Sequence, residues 1–167
     1  MARTLLVMRH GKSRWDEEGL DDHDRSLAKR GKQDSVAMGE ELLARGLVPD
    51  VILCSTAKRA RSTARRVVKA SGYEGKVLCD ARLYFQGVEP CLSAIASLDD
   101  EAETALVVGH NPVSEELVQL LTGKSVRLPT AAIACIDLPI ASWRFLDQTT
   151  KGTLRFVLAP QHSSSAE

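Results

Sequence analysis

Short apolar runs alternate along the chain with longer stretches in which apolar residues recur at helical spacing. The runs are continuously apolar, which is typical of strands buried on both faces of a parallel sheet. They lie at 4–8, 51–54, 76–79 and 104–108. The helical spacing predicts helices over 27–45, 57–70 and 89–98, and a fourth beginning at 111–112.

Alternation of strands and helices predicts an α/β fold. We expect a three-layer sandwich, with helices on both faces of a mostly parallel central sheet. Two later apolar runs, 131–138 and 153–158, have no helix between them and predict at least one antiparallel edge strand. The pattern fits a single domain over 1–160, and the serine-rich segment 161–167 is predicted to be a disordered tail.

Two helices carry more detailed predictions. In the first, Val36, Gly39, Leu43 and Leu47 form a stripe that is expected to face the core. In the fourth, an Asn cap precedes a Pro at the first helical position, a favourable start for a helix. Residues 12–25 are polar and predict a long loop.

Composition narrows the class of protein. The chain is 44% hydrophobic, enough for an ordinary core, and its 22 basic residues balance 22 acidic ones. This balance disfavours a dedicated nucleic-acid binder, although a locally positive cleft remains compatible with it. An apolar stretch of about 18 residues, as a membrane span needs, is missing from the sequence, and the N-terminus does not resemble a signal peptide. We therefore expect a cytoplasmic protein.

The cysteines give little sign of a site. The four of them are scattered, without a CxxC pair, and are expected to be buried reduced thiols. The acidic stretch 21–24 is interpreted as a solvated loop, so the sequence predicts no metal site and no cofactor.

Polar residues follow three of the predicted strands. Arg9-His10-Gly11 follows the first, Ser55 and a basic run containing Arg59 follow the second, and His110 follows the fourth. The carboxyl ends of parallel strands lie at one edge of a sheet, where ligands bind. Two imidazoles and at least two guanidiniums are thus expected to share one pocket.

Each feature alone has a simpler explanation. A histidine after a strand is often structural, and a basic run is often the solvated face of a helix. However, Lys58, Arg59 and Arg61 lie in a first helical turn, where the helix dipole disfavours cations by roughly 0.3–1 kcal/mol each. A bound anion would offset this cost, and both strand ends carry His although the chain has only four.

The combination suits phosphoryl transfer. An arginine presents a planar set of donors that can bind phosphate oxygens in pairs. A neutral imidazole nitrogen can attack phosphorus, provided that the other ring nitrogen donates a hydrogen bond, for which a backbone carbonyl is the expected partner.

In the order Arg9-His10-Gly11, Arg59 and Gly109-His110, these residues resemble the histidine phosphatase superfamily. The short chain and the loop 22–31 resemble its SixA-type phosphohistidine phosphatase branch, over roughly residues 1–160.

The resemblance implies that His10 is phosphorylated during turnover, while Arg9, Arg59 and His110 form the phosphate pocket. Gly11 and Asn111 are further substrate-binding candidates, although a capping role is a sufficient explanation for Asn111. Arg25 joins the pocket or, alternatively, forms a surface salt bridge. Arg61 is expected to face solvent.

One departure bears on the substrate. Many members of the superfamily carry a glutamate general acid soon after the third strand. Here residues 80–87 have no carboxylate at the position expected for it, and Glu89 lies further on. An alcohol leaving group needs protonation, commonly worth about 10²–10⁴-fold, whereas a phosphoramidate nitrogen can already be protonated. Asp16 and Asp24 are weaker candidates for an acid.

These features predict a metal-independent phosphohistidine phosphatase that acts through a covalent intermediate on His10. Its expected partner is a phosphorylated protein such as a histidine phosphotransfer domain, or a small phosphorylated metabolite, and we expect a monomer. Two alternatives stay open: a small-molecule phosphomonoesterase of the same superfamily, and a non-catalytic phosphate-binding module.

Overall fold

A computed structural model describes residues 2–162. Within this range the chain forms one six-stranded sheet. The strands are β1 (Arg3–Arg9), β2 (Val51–Cys54), β3 (Val77–Cys79), β4 (Thr104–Gly109), β5 (Ile133–Leu138) and β6 (Thr153–Leu158). The α-helices are α1 (Lys29–Ala44), α2 (Lys58–Ser71), α3 (Val88–Ala96) and α4 (Val113–Thr122). Short 3-10 helices lie at Asp22–Asp24, Ala81–Leu83 and Trp143–Phe145.

The sheet has the strand order β3-β2-β4-β1-β5-β6. Its first four strands are parallel, whereas β5 runs antiparallel to β1 and β6 antiparallel to β5. The predicted mixed sheet with an antiparallel edge is therefore confirmed, and each helix and strand begins and ends within a few residues of its predicted place.

Alternate residues of the central strands belong to two separate hydrophobic cores. Leu5 and Val7 of β1 pack with residues of α3 and α4 in one core. Leu6 and Met8 of the same strand pack with residues of α1 and α2 in the other. Because side chains of a strand point alternately to opposite faces, a strand covered on both sides must be apolar throughout. This explains the continuous apolar runs and confirms the three layers.

The predicted apolar stripe of α1 is correct for Gly39, which is buried, and for Leu47, which packs against the core, but wrong for the other two residues. Val36 and Leu43 are exposed, while Met38, Gly39 and Leu42 are buried. The buried face is set by the close approach of α1 to α2: a Cβ on Gly39 would lie 2.8 Å from the Cβ of Ala70. Small residues thus define the contact, and the largest apolar residues need not lie on it.

The predicted cap of α4 is also wrong. Pro112 occupies the N-cap position, and the peptide bond before it is cis. The Asn111 side chain points elsewhere, since its Nδ2 donates to the carbonyl oxygen of Leu128 at 3.0 Å. Asn111 therefore does not cap α4 with its side chain.

Other predictions have mixed outcomes. Cys54, Cys91 and Cys135 are buried free thiols, but Cys79 is exposed, with its Sγ 3.5 Å from that of Cys54. Of the predicted disordered tail, residues 163–167 lie outside the described range; His162 is described, and its Nε2 lies 3.4 Å from Asp34 Oδ2. Among residues 2–162, no helix has the length and apolar character needed to cross a bilayer.

Candidate active site

A cavity of about 380 Å³ opens at the carboxyl ends of β1, β2 and β4. Six of the seven predicted site residues line it, namely Arg9, His10, Arg25, Arg59, His110 and Asn111. The parallel arrangement of the three strands brings them together, as the sequence predicted for the two histidines and Arg59.

His10 follows the last residue of β1 and is buried, with 7% of its surface exposed. Its Nδ1 lies 2.6 Å from the carbonyl oxygen of Gly11. A carbonyl oxygen only accepts, so Nδ1 carries the proton and Nε2 keeps its lone pair. Burial above all, with the positive charges of Arg59 and Arg9, lowers the pKa of His10 to about 3, and the ring is neutral at neutral pH.

Glycines fix the turn that follows His10. The N–H of Gly11 donates to Thr63 Oγ1 of α2 at 3.0 Å. A Cβ on Gly11 would lie 2.7 Å from the carbonyl oxygen of Gly31, which the packing forbids. Because both backbone groups of Gly11 are engaged inside the protein, the structure does not offer its amide to a ligand. Gly11 instead orients His10.

Arg59 lies in the first turn of α2 and is 1% exposed. Its Nε donates to His10 Nε2 at 3.3 Å, and its Nη1 and Nη2 donate to the carbonyl oxygen and the carboxylate of Asp22 at 2.7 and 2.9 Å. Lys58 and Arg61 are exposed, as expected for Arg61, whose Nε donates to the carbonyl oxygen of Thr56. One cation of the basic helix start therefore faces the unprotonated Nε2 of His10.

His110 follows β4, and its ring centroid lies 5.1 Å from that of His10. Its Nε2 lies 2.8 Å from Ser55 Oγ, at the end of β2. Burial, then the nearby His10 and Arg59, lowers the pKa of His110 to about 3. Three strand ends thus contribute to one arrangement of two neutral imidazoles and a guanidinium.

Arg9 and Arg25 are two further cations that line the cavity. Arg9 Nη1 donates to the carbonyl oxygen of Leu128 at 3.1 Å. Arg25 is buried, and its Nη1 donates to Ser13 Oγ at 2.7 Å while its Nε donates to Asp22 Oδ1 at 3.1 Å. Both possibilities considered for Arg25 are present: it lines the cavity, and it forms a salt bridge with Asp22, whose side chain is partly exposed.

Asp22 is the site residue that the sequence interpretation missed. Its carboxylate enters the cavity and accepts from Arg59, Arg25 and the hydroxyl of Tyr84, the last at 2.7 Å. Partial burial opposes ionisation, but the bonds from Tyr84 and Arg59 prevail and lower the pKa of Asp22 to about 2. The sequence feature that could have pointed to Asp22 is its position three residues before Arg25, because a buried guanidinium needs an acceptor.

The other carboxylates considered as acids lie elsewhere. Asp16 forms an exposed ion pair with Arg14, Asp24 lies beside His23, and Glu89 is exposed in the first turn of α3. None of the three lines the cavity with His10. Within the described part of the chain, no cluster of three or more His, Cys, Asp or Glu side chains could hold a metal ion.

The charges around the cavity favour an anion. Arg9, Lys12, Arg25 and Arg59 are cations, whereas Asp22 is the one carboxylate among the lining residues described. Such an excess of positive charge attracts a doubly charged phosphoryl group. Guanidinium groups bind phosphate oxygens in pairs, and a neutral imidazole beside them can attack phosphorus.

Comparison with known proteins agrees with this chemistry. The sequence model of the histidine phosphatase superfamily (branch 1) matches residues 5–84. An uncharacterized protein of Mycobacterium leprae is 32% identical over 153 residues, 84% of this chain and 92% of that protein. A 2,3-bisphosphoglycerate-dependent phosphoglycerate mutase of Mesorhizobium japonicum is 36% identical, but over 74 residues, which are 43% of this chain and 36% of the mutase.

Among solved structures, a protein from Nakamurella multipartitia provisionally assigned as the phosphohistidine phosphatase SixA is similar along almost its whole length. The TM-score is 0.82 at 29% identity, over 96% of this chain and 97% of that protein. Fold, site and matches together define a phosphatase, a hydrolase that acts on phosphoryl groups. The chain belongs to the histidine phosphatase superfamily, branch 1, and is of the SixA type.

Proposed function

We propose that the protein is a phosphohistidine phosphatase that transfers the phosphoryl group to His10 and then to water. One observation carries the proposal: the neutral His10, with Nε2 unprotonated and beside Arg59, lies in a cationic cavity whose lining carboxylate is held ionised. The site is thus equipped to accept a phosphoryl group and poorly equipped to protonate a leaving alcohol.

In the first step, His10 Nε2 attacks phosphorus, a P–N bond to His10 forms, and the P–N bond of the substrate breaks. The leaving imidazole takes the electron pair of that bond and departs neutral, because its other nitrogen already carries a proton. Arg59 and Arg9 stabilise the charge on the phosphoryl oxygens, with His110 as a further contact. The bond from Nδ1 to Gly11 keeps the attacking lone pair on Nε2.

In the second step, water attacks the phosphoryl group on His10. The bond from phosphorus to Nε2 breaks, inorganic phosphate leaves, and His10 regains its lone pair. The proton released by the attacking water is taken up by the phosphate. His10 is therefore restored for the next turnover.

The proposal that the substrate is a phosphohistidine rests on the protonation state of Asp22. Asp22 is ionised and bound by two guanidiniums and a tyrosine hydroxyl, so it has no proton to give. Loss of acid catalysis would slow hydrolysis of an alkyl phosphate by about 10²–10⁴-fold, but it costs little when nitrogen leaves. The assignment of the Nakamurella multipartitia protein points to the same class of substrate. A phosphorylated protein, such as a histidine phosphotransfer domain, is the proposed partner.

A phosphomonoesterase is the second candidate. It is favoured by the position of Asp22 in the cavity and by the partial match to a phosphoglycerate mutase. In this case a bound phosphoryl group would displace Asp22 from Arg59 and raise its pKa enough to let it donate a proton. Substrate preference distinguishes the two.

The test compares hydrolysis of a phosphohistidine protein and an aryl phosphate, both in excess chelator. The wild type is compared with His10→Ala and, as a control, His162→Ala, which replaces a histidine that does not line the cavity. Rapid acid-free quenching with labelled substrate measures phosphate bound to the protein. We expect chelator-resistant turnover and covalent labelling in wild type and His162→Ala, and neither in His10→Ala.

The outcomes separate the hypotheses. A strong preference for phosphohistidine supports the proposed function, whereas equal rates on the aryl ester favour the phosphomonoesterase. Phosphate binding without turnover on either substrate, in a folded protein, would show a binding module instead. Turnover that survives His10→Ala would exclude His10 as the nucleophile.

A further inference from the structure

We infer that Phe85 and Trp15 are specificity-determining residues that bind the aromatic ring from which the phosphoryl group leaves. This inference rests on the proposed function and narrows it, because it states what the leaving group must look like. Both residues line the cavity that contains His10, and neither belongs to the charged phosphate pocket.

Phe85 is held over the site at a conformational cost. Its φ is 52°, in the left-handed region that a bulky side chain seldom adopts. Such backbone is retained where the surroundings require it, and it concentrates at functional sites. Here it places the ring of Phe85 4.6 Å from the ring of His110, tilted by 33°.

The Phe85 ring is nevertheless only partly covered. The ring of Tyr84 lies 5.0 Å away in an edge arrangement, and half of the surface of Phe85 remains exposed (50%). A phenylalanine that merely supported His110 would be expected to be buried. The exposed part borders the cavity, so an aromatic surface is available directly beside the phosphoryl pocket.

Trp15 offers a second aromatic surface at the same cavity. Phe85 comes from the loop after β3 and Trp15 from the loop after β1. Trp15 is 80% exposed, yet its ring is fixed by the guanidinium of Arg25, 3.5 Å from the ring centroid. An indole this exposed contributes little to the core, which makes a contact with a ligand the better explanation.

The aromatic side chains of Phe85 and Trp15 favour a substrate whose leaving group is a flat ring. Aromatic pairs prefer offset or edge contacts at the distances seen here, and such contacts change affinity by roughly 2- to 12-fold. The imidazole of a phosphohistidine would contact these rings while its phosphoryl group meets His10 and Arg59. A ring-free P–N compound would reach the same nucleophile without these contacts.

The experiment keeps the P–N bond constant and varies the ring. Values of kcat/KM are measured for N-phosphoimidazole and for inorganic phosphoramidate, with wild type, Phe85→Leu, Phe85→Tyr and Trp15→Leu. Phe145→Leu is the matched control, because Phe145 is equally exposed (53%) and lies outside the cavity. We expect Phe85→Leu to lower kcat/KM for N-phosphoimidazole roughly 5-fold and to leave phosphoramidate within twofold.

Phe85→Tyr should restore the preference for the ring, Trp15→Leu should reduce it, and Phe145→Leu should leave it unchanged. Equal losses on both compounds, or no loss on either, would overturn the inference and show that Phe85 only supports the fold. If Phe85→Leu does not fold, Trp15→Leu carries the same comparison.

Failure of the inference and failure of the proposed function give different results. If the wild type hydrolyses esters rather than P–N bonds, the proposed function fails. The role of Phe85 and Trp15 is then tested by comparing phenyl phosphate with methyl phosphate in the same variants. A ring preference that depends on Phe85 would then still support the inference. A wild type inactive on all four compounds would overturn both.

Discussion

Arg59 is a nearly inaccessible cation, and Asp22 balances its charge inside the cavity. The two are joined by the bond from Nη2 to the Asp22 carboxylate and by the bond from Nη1 to the Asp22 carbonyl oxygen. An unpaired buried charge is strongly destabilising, so Arg59 needs such a partner. In the proposed mechanism, the same carboxylate would compete with an incoming phosphoryl group for Arg59.

Replacing Asp22 with Asn tests this competition. The amide can still accept from Arg59, but it no longer repels an anion. We expect inorganic phosphate to inhibit Asp22→Asn about fivefold more strongly, which corresponds to about 1 kcal/mol for a partly exposed charge. The kcat for phosphohistidine should fall less than tenfold, because Asp22 supplies no proton. Inhibition constants and initial rates give both values.

Asp24→Asn is the matched control, since Asp24 is an exposed carboxylate two residues away that does not line the cavity. It should leave both values unchanged. A loss of 10² or more in kcat for Asp22→Asn would contradict the prediction and identify Asp22 as a general acid.

Much of the site could be predicted because its residues follow strands directly. His10, Arg59 and His110 lie next to easily recognised apolar runs, and the parallel sheet rule brings them together. Asp22 could not be placed in the same way. It lies in the loop 12–25, whose path depends on tertiary contacts such as the bond to Tyr84, 62 residues further along the chain.

At the level of secondary structure elements, the contact between α1 and α2 shows a limit of pattern reading. The apolar stripe predicted for α1 included Gly39, through which the contact is made, but also the exposed Val36 and Leu43. Hydrophobic periodicity detects that a helix exists and where it lies in the chain. It does not fix which neighbours of Gly39 are buried, because a contact through small residues depends on close approach rather than on the apolar surface of large side chains.

Gly39→Ala should therefore destabilise the protein. In an exposed helix, alanine would be favoured by about 0.5–1 kcal/mol. Here its Cβ would lie 2.8 Å from the Ala70 Cβ and 3.0 Å from the Val67 carbonyl oxygen, and overpacking of this kind costs about 1–3 kcal/mol. Urea unfolding at constant pH measures the difference in the free energy of unfolding.

Val36→Ala is the comparison, since Val36 was predicted to be in the core and is exposed. Its effect should stay within about 0.5 kcal/mol, as for most surface substitutions. A stabilising effect of Gly39→Ala would mean that α1 can move away from α2 at little cost, and the close contact would lose its significance.

For the molecule as a whole, two buried neutral imidazoles link stability to pH. The folded-state pKa values of His10 and His110 are lowered from 6.5 to about 3. A group that binds its proton less readily when folded contributes stability above its unfolded pKa. That contribution is lost as the pH falls from about 6.5 towards 3.

The free energy of unfolding should consequently decrease between pH 7.5 and 4.5, and less so in His10→Asn. We expect the decrease in this variant to be smaller by about 1–2 kcal/mol. Urea titrations at the two pH values measure it, with Val36→Ala, a non-titrating surface substitution, as a control that should behave like the wild type. Identical decreases in all three proteins would show that His10 titrates normally in the folded state.

In the proposed mechanism, the residues that carry out the chemistry and the two that bind the leaving ring lie on different parts of the fold. His10, Ser55 and His110 extend from strands whose residues are held in both cores, whereas Trp15 and Phe85 lie on connecting loops. Exchanging only the residues around Trp15 and Phe85, with Asp22 and Arg25 kept, would leave the residues of the proposed mechanism in place and present them to a different compound. New substrates can thus be acquired by changing two short loop segments, while the strands that position His10 and His110 stay the same.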